Sequence, residues 1–518
     1  MIAEVLAIGM VVAVCVLLMA GYPVALTLGG VSLAFALLGD ITGAMNIGLL
    51  GALPQRIFGV MTNDVLVAIP LFVFMGVMLE RSRIAEDLLE TMGRLFGAFH
   101  GGLAISVTLV GVLLAAAKGV VGATTVTMGL ITLPTMLRYG YDPRLAAGTV
   151  AAVATLAQIL PPATVLVLLG DQLNISYQSA QLAAGKFAPD TVTVGDLFAG
   201  AIFPALMLVG LYLLFQIAVA IFYPKACPPI PPEPNAPRGA ALARRVIEAL
   251  VAPVALIVVV LGSILAGLAS PTEAAAVGAF GAILLTARKI DPGHGWAATL
   301  AVGAIIGVLV LRGVTGPRLG GSTLWIVVAL ALFAVLAVST MRALQTVHRT
   351  GVLRQALDST AHIVSMIFAI LIGATLFSLV FRGLGGDDLV HRALADLPGG
   401  AAGAILVTML ALFLLGFVMD AFEIIFVVVP IVAPALLAMP GIDPVWLGIM
   451  IALNLQTSYM HPPLGPTLFY LRGVAPPQIT TLHIYVGVIP FVLIQLVALV
   501  VLWFLPALAT WLPHALYR

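Results

Sequence analysis

APALLAMPGIDPVWLGIMIALNLQTSYMHPPLGPTLFYLRG, residues 433–473, reads as an apolar segment interrupted first by a turn around Asp443-Pro444 and then by the pair Pro462-Pro463. A second stretch, LPTMLRYGYDPRLAAGTVAAVATLAQILPPATVLVLLG at 133–170, carries the same punctuation. Pro134 matches Pro434, Asp142-Pro143 matches Asp443-Pro444, and Pro161-Pro162 matches Pro462-Pro463. In both copies nineteen positions separate the Asp from the first Pro of the pair. A Pro-Pro pair cannot continue a regular helix, because each ring removes an amide donor and clashes with the preceding turn. Helix breaks at equivalent places in two apolar halves point to a transporter binding site.

Composition agrees with that reading. The 518 residues are 62% hydrophobic and 9% charged, with mean hydropathy +1.18, a balance found in polytopic membrane proteins rather than soluble ones. A net charge of +1 without basic runs excludes nucleic acid as a partner. Cys15 and Cys227 stand alone, with no zinc spacing and no disulfide framework. The first apolar segment lacks a basic n-region and has Glu4 ahead of it, so it reads as a retained membrane helix and not a signal peptide.

Fourteen apolar runs alternate with turns, several of them short or broken. ERSRIAEDLLETMGRL (80–95) and RALQTVHRTGVLRQAL (342–357) carry charges between apolar positions at helical spacing, as interfacial helices or helix extensions do. The proline-rich PKACPPIPPEPNAPRG (224–239) separates the repeats. The expected organisation is N-terminal scaffold helices and an interfacial arm (1–95), repeat 1 (96–223), linker and additional scaffold helices (224–361), repeat 2 (362–508) and a C-terminal tail (509–518).

The repeat extends outward from the opening match. Gly101-Gly102 answers Gly399-Gly400, and DLFAGAIFPALML (196–208) answers HIYVGVIPFVLI (483–494). Each unit reads as two short apolar arms around a tip of small or polar residues, followed by a proline-broken helix. Arms too short for a full crossing suggest re-entrant hairpins. Arg138 and Arg144 flank the first Asp-Pro turn, whereas 438–444 hold no Lys or Arg. The positive-inside rule therefore places the first turn in the cytoplasm and the second outside, which makes the repeats inverted. The expected pattern is external labelling of a cysteine at position 440 but not at position 140; the reverse would contradict it.

The broken segments are where a site belongs. Carbonyls freed by Pro161 and Pro462 cost several kcal/mol each, roughly, in hydrocarbon unless protein, water or a ligand satisfies them. Near the first pair lie Thr155, Gln158 and Thr164; near the second lie Asn454, Gln456, Thr457, Ser458, His461 and Thr467. The first tip, KGVVGATTVT (118–127), supplies Gly122, which permits close backbone approach, and the hydroxyls of Thr124, Thr125 and Thr127. The second tip, GFVMDAFEII (416–425), holds Asp420 and Glu423 three apart. Carboxylates within an apolar run are costly and have a cation as natural partner. Asp420 is expected to ligate an ion, and Glu423 either to do so or to pair with Arg382 or Arg472. Arg472 is a candidate for a substrate carboxylate, since a guanidinium can bind one bidentately, or else an interfacial arginine.

The chain resembles the large membrane subunit of the tripartite ATP-independent periplasmic (TRAP) transporters, the DctM-like permeases. GYPVAL (21–26), IPLFVFMG (69–76), GATTVTMGLITLPTML (122–137), PTEAAAVGA (271–279) and the stretch from Gly441 through PPLGPTLFYLRGVAP carry the resemblance over nearly the whole sequence. The resemblance implies an all-α, multi-pass bacterial inner-membrane protein with two re-entrant hairpins and two proline-broken helices. These would form an elevator-type transport domain against scaffold helices. It implies an importer of organic acids, usually sodium-driven, supplied by a periplasmic binding protein and completed by a small four-helix membrane subunit, here expected as a separate chain. On this reading Gly122, Thr124, Thr125, Pro161, Asp420, Glu423, Thr457, Ser458 and Pro462 hold sodium. Lys118, Gln158, Asn454, Gln456, His461 and Arg472 hold the substrate.

The FYLRGVAP ending and the extra apolar segments at 297–311 and 323–341 resemble a branch associated with 2-oxo acids and similar monocarboxylates. The chain also departs from the family, with Lys118 at the first tip, Ala163 after Pro162 and His461 before Pro462. Lys118 reaches water or substrate, or its ammonium takes one cation position with proton coupling as the consequence. A stand-alone or proton-coupled carboxylate carrier is the alternative. An intramembrane enzyme has little support: Leu384 spoils a GxGD pattern ending at Asp387, and no HExxH or GxxxxGK[ST] motif occurs.

Overall fold

The computed structural model describes residues 2–82, 84–231, 240–291, 293, 295–315 and 323–517. The linker residues 232–239, with Glu233 and Arg238, and the side chains of Lys118 and Arg245 lie outside the described residues. The chain is all-helical there. The first half comprises α1 (Ile2–Met19), α2 (Val24–Ile41), α3 (Leu53–Met61), α4 (Asp64–Arg81), α5 (Ile84–Phe96), α6 (Gly102–Lys118), α7 (Val121–Arg138), α8 (Pro143–Thr155), α9 (Thr164–Ala183) and α10 (Val194–Phe222). The second comprises α11 (Ala240–Leu265), α12 (Pro271–Ile290), α13 (Trp296–Thr315), α14 (Thr323–Arg349), α15 (Val352–Gly383), α16 (Gly386–Ala395) and α17 (Gly400–Leu415). It continues through α18 (Ala421–Leu437) to α19 (Pro444–Ser458), α20 (Pro466–Val474), α21 (Thr481–Phe504) and α22 (Ala507–Tyr517).

Six described helices, α1, α2, α10, α14, α15 and α21, are long and apolar enough to cross a membrane; the pair Ile47–Met61 and Asp64–Arg81, bent by 53°, is a broken span or a re-entrant loop. Among the remaining apolar runs, α6, α8, α17 and α19 are helices of 17, 13, 16 and 15 residues, bounded by glycines, Asp-Pro starts or proline pairs. The expected stretch 342–357 is divided at Gly351, whose φ of +76° ends the turn between α14 and α15. Similarly, 80–95 divides at Ser82, and α5 buries Leu88, Leu89 and Met92 while Glu90 is exposed.

The Asp-Pro punctuation starts the broken helices. Asp142 accepts the Arg144 amide at 2.7 Å, and Asp443 accepts those of Val445 and Trp446 at 2.9 and 3.0 Å. In each case the following proline takes the first helical position, where its missing N–H costs nothing. The resulting helices have 13 and 15 residues, about 20 and 22 Å at 1.5 Å per residue, and are too short to cross a ~30 Å hydrocarbon layer. Every residue of α19 is buried, as is α8 from Ala146 to Thr155.

The two halves interlock reciprocally. Helix α2 packs on α15 and α12 on α4; α21 packs on α8 and α10 on α19; α20 packs on α7 and α18 on α9. One contact between these pairs matches to the residue position. A Cβ on Gly487 of α21 would lie 2.1 Å from the Arg144 carbonyl oxygen, and one on Gly200 of α10 would lie 2.6 Å from Val445. Arg144 and Val445 each follow their Asp-Pro turn's aspartate by two positions. Exchanging the halves turns each of these helix pairs into its counterpart, which is the signature of an approximate two-fold. Within this frame α12 and α4 run parallel, because Thr272 donates to Asp64 O at 2.6 Å and Thr286 to Met78 O at 3.3 Å.

Candidate functional site

Two helical hairpins, α6–α7 and α17–α18, each set a tip against a helix break. At the first, Gly119 has φ +61°, and a Cβ there would meet the Thr164 amide and Oγ1 at 3.2 Å and Pro162 O at 3.4 Å. Only glycine supplies both that backbone conformation and that clearance. At the second, a Cβ on Gly416 would lie 2.0 Å from Ser458 Oγ. The peptide bonds Pro161-Pro162 and Pro462-Pro463 are both cis. The hairpins also meet the opposite half. Gly122 faces the Tyr470 ring, which an added Cβ would approach to 3.1 Å, and Gly129 similarly faces Val474 at 2.7 Å.

The first break holds buried hydroxyls and one unpaired amide. Thr124 and Thr125 are fully buried and donate to Val120 O and Val121 O, both at 2.9 Å, which leaves their oxygen lone pairs as acceptors. Thr127 donates to Glu80 at 2.8 Å. Gln158 is 1% exposed, and neither its Oε1 nor its Nε2 has a partner; Thr164 Oγ1 is likewise buried and unpartnered.

The second break is more crowded. Thr457 and Ser458 donate to Asn454 O at 2.6 and 3.3 Å, and Asn454 donates to Met409 O at 2.7 Å, tying α19 to the first arm of its hairpin. Asp420 caps α18 by accepting the Ala421 amide at 2.7 Å, and the Tyr459 hydroxyl donates to the same carboxylate oxygen. One helical turn on, Glu423 is 5% exposed with Oε2 unpartnered; a π-helical turn, Ile424–Val428, follows at once. Such turns are rare and concentrate at functional sites. His461 is wedged between Phe413 and Phe417, ring centroids 3.9 and 4.6 Å away, with both nitrogens buried and unpartnered.

Most of the residues singled out in the sequence thus come to the two breaks and their tips. Gln456 instead reaches across the halves, donating to Thr155 Oγ1 at 3.2 Å. Neither arginine meets Glu423: Arg382 pairs with Asp387 at 2.9 Å, and Arg472 lies exposed at the end of α20, donating to Ile479 O at 2.6 Å. Tyr459, Phe413 and Phe417 were not singled out. Tyr459 had a signal, since it stands three positions before Pro462 just as Gln158 stands three before Pro161.

A family model described as "Tripartite ATP-independent periplasmic transporter, DctM component" matches residues 11–310 and 292–508. The C4-dicarboxylate TRAP transporter large permease protein DctM of Vibrio cholerae is 26% identical over 504 residues, 96% of each chain. The ectoine TRAP transporter large permease protein TeaC of Halomonas elongata is 23% identical over 97% of each. The isethionate TRAP transporter permease protein DctMQ of Oleidesulfovibrio alaskensis is 26% identical over 95% of this chain and 64% of its own length. Among solved structures, the YdaH transporter of Alcanivorax borkumensis shares the fold, with TM-score 0.56 at 16% identity over 90% of this chain and 88% of that one.

Proposed function

Because the chain belongs to the DctM component of the tripartite ATP-independent periplasmic transporters, multi-pass permeases of the bacterial inner membrane, we propose that it imports a small organic acid with sodium as the coupling ion. The substrate reaches it on a periplasmic binding protein, and a small membrane subunit completes the complex. The observation that carries this reading is where the unsatisfied chemistry sits. Nearly half of the buried, unpartnered side-chain polar atoms among the described residues belong to Gln158, Thr164, Glu423, His461 and Thr467, at the two breaks and the second tip. Buried polar groups without partners are rare and call for an explanation, and a ligand that supplies the missing partners is one.

The oxygen-rich donor set suits a hard monovalent cation. Hydroxyls of Thr124 and Thr125, carbonyls beside Pro161 and Pro462, the hydroxyls of Thr457 and Ser458, and the Glu423 carboxylate are its constituents. Glu423 is the better ion ligand of the two tip carboxylates, since Asp420 is already engaged by Tyr459 and the Ala421 amide. The donors Gln158 Nε2 and the His461 ring N–H suit a carboxylate. Relatives named for C4-dicarboxylate, ectoine and sialic acid support that class, and a 2-oxo or other monocarboxylate falls within it. Alternating access moves the breaks and tips against α2, α4, α12 and α15.

The test is uptake of labelled succinate and pyruvate by the reconstituted permease and its small subunit, with and without the binding protein. The expected result is uptake only with the binding protein; equal uptake without it would favour a stand-alone carrier.

A further inference from the structure

Thr155 stands six positions before Pro161, and Gln456 six before Pro462. These equivalent residues bond to each other: Gln456 Nε2 donates to Thr155 Oγ1 at 3.2 Å. The bond therefore lies on the approximate two-fold itself, where the end of α8 meets α19. Gln495 of α21 donates to the same Thr155 oxygen at 3.4 Å and to the Tyr212 hydroxyl of α10 at 2.8 Å. Thr155 in turn donates to Ala152 O at 2.8 Å. All four side chains are fully buried. Each half thus contributes its broken helix and the long helix after it.

Position gives this cluster its consequence. The unpartnered Gln158 follows Thr155 by three residues, and Thr457, Ser458 and Tyr459 follow Gln456 directly. A displacement of either break on binding a ligand pulls on the joint. Separating it would leave amides and hydroxyls unpaired in the interior, which a low-dielectric environment penalises heavily. An element whose arrangement both sites bias is what coupling requires.

We infer that Thr155, Gln456, Gln495 and Tyr212 are positioning residues that form a polar joint between the halves and make the two breaks respond to coupling ions as one unit. This rests on the sodium reading above. The test uses the full chain with its small subunit, Cys15 and Cys227 replaced by serine, and one reporter cysteine at either Val120 or Val418, equivalent positions at the two tips. Maleimide labelling rates are titrated with sodium chloride against choline chloride. Sodium is expected to protect both tips with a common midpoint in the otherwise unaltered protein. With Thr155→Val or Gln456→Leu the midpoints are expected to separate by about 5-fold or more, the lower range of site-to-site couplings, while Thr155→Ser keeps them together. Midpoints that still coincide in both joint variants, or that already differ without them, overturn the proposal. If neither variant assembles, Gln495→Leu, which removes the second donor to Thr155, is expected to separate the midpoints and overturns the proposal if it does not. Absence of sodium protection at both tips removes the sodium reading, and the joint's proposed role with it.

Discussion

Exchange of Glu423 for glutamine is expected to raise the sodium concentration for half-maximal uptake by about 10–100-fold, because a hydrogen bond or ion contact to a charged group contributes roughly 1.5–3 kcal/mol. Glutamine separates the two roles the position could have. Asp420-x-x-Glu423 has the spacing of a capping box, in which glutamine at the third helical position serves as well as glutamate. A helix-capping role therefore survives the exchange, whereas a cation ligand loses its charge. Unchanged sodium dependence in Glu423→Gln would assign the residue to the cap. The same exchange at Asp420, as asparagine, keeps an N-cap acceptor and an acceptor for the Tyr459 hydroxyl, so its expected effect is smaller.

Replacing Gly487 by valine is expected to abolish recovery of assembled, monodisperse protein. The added Cβ would lie 2.1 Å from Arg144 O and 3.1 Å from Gly148 N, and a Cβ on Gly148 would lie 2.0 Å from Gly487 O. The two backbones touch, so no side-chain rotation relieves the clash. Overpacking of a well-packed interior typically costs about 1–3 kcal/mol and more where the backbone must move, and here it would separate α21 from α8 along their length. Gly210→Val is the control, since no atom lies within 4 Å of a Cβ added there. Size-exclusion profiles of the two variants in detergent check the prediction; a normal profile for Gly487→Val would mean that α8 and α21 are not held backbone to backbone.

The sequence made legible what backbone chemistry dictates locally. Asp-Pro starts and Pro-Pro stops are visible because each acts on its own turn, and their repetition located both breaks. The family resemblance is borne out by the match to the DctM family. Partner choice between distant segments was not visible. Tyr459 engages Asp420 across 39 positions, Gln495 engages Tyr212 across 283, and Gln456 engages Thr155 across 301. Glutamine at 456 carried no mark to separate a bridging amide from a ligand-binding one. Arg472 shows the converse: its guanidinium suited a carboxylate, yet α20 ends beside it, and the Ile479 carbonyl takes the donor. From sequence Asp420 reads as the firmer ion ligand of the two tip carboxylates, yet in the structure Tyr459 and the Ala421 amide already hold it, while Glu423 Oε2 has no partner.

The most direct measurement of the central claim is accumulation of labelled succinate or pyruvate in proteoliposomes containing the permease and its small subunit, with loaded binding protein outside and the sodium gradient as the sole driving force. Concentration of the acid above its external level under an inward sodium gradient, and its collapse when potassium replaces sodium, is the predicted result. Accumulation that persists under potassium, or that follows an imposed proton gradient without sodium, would contradict it.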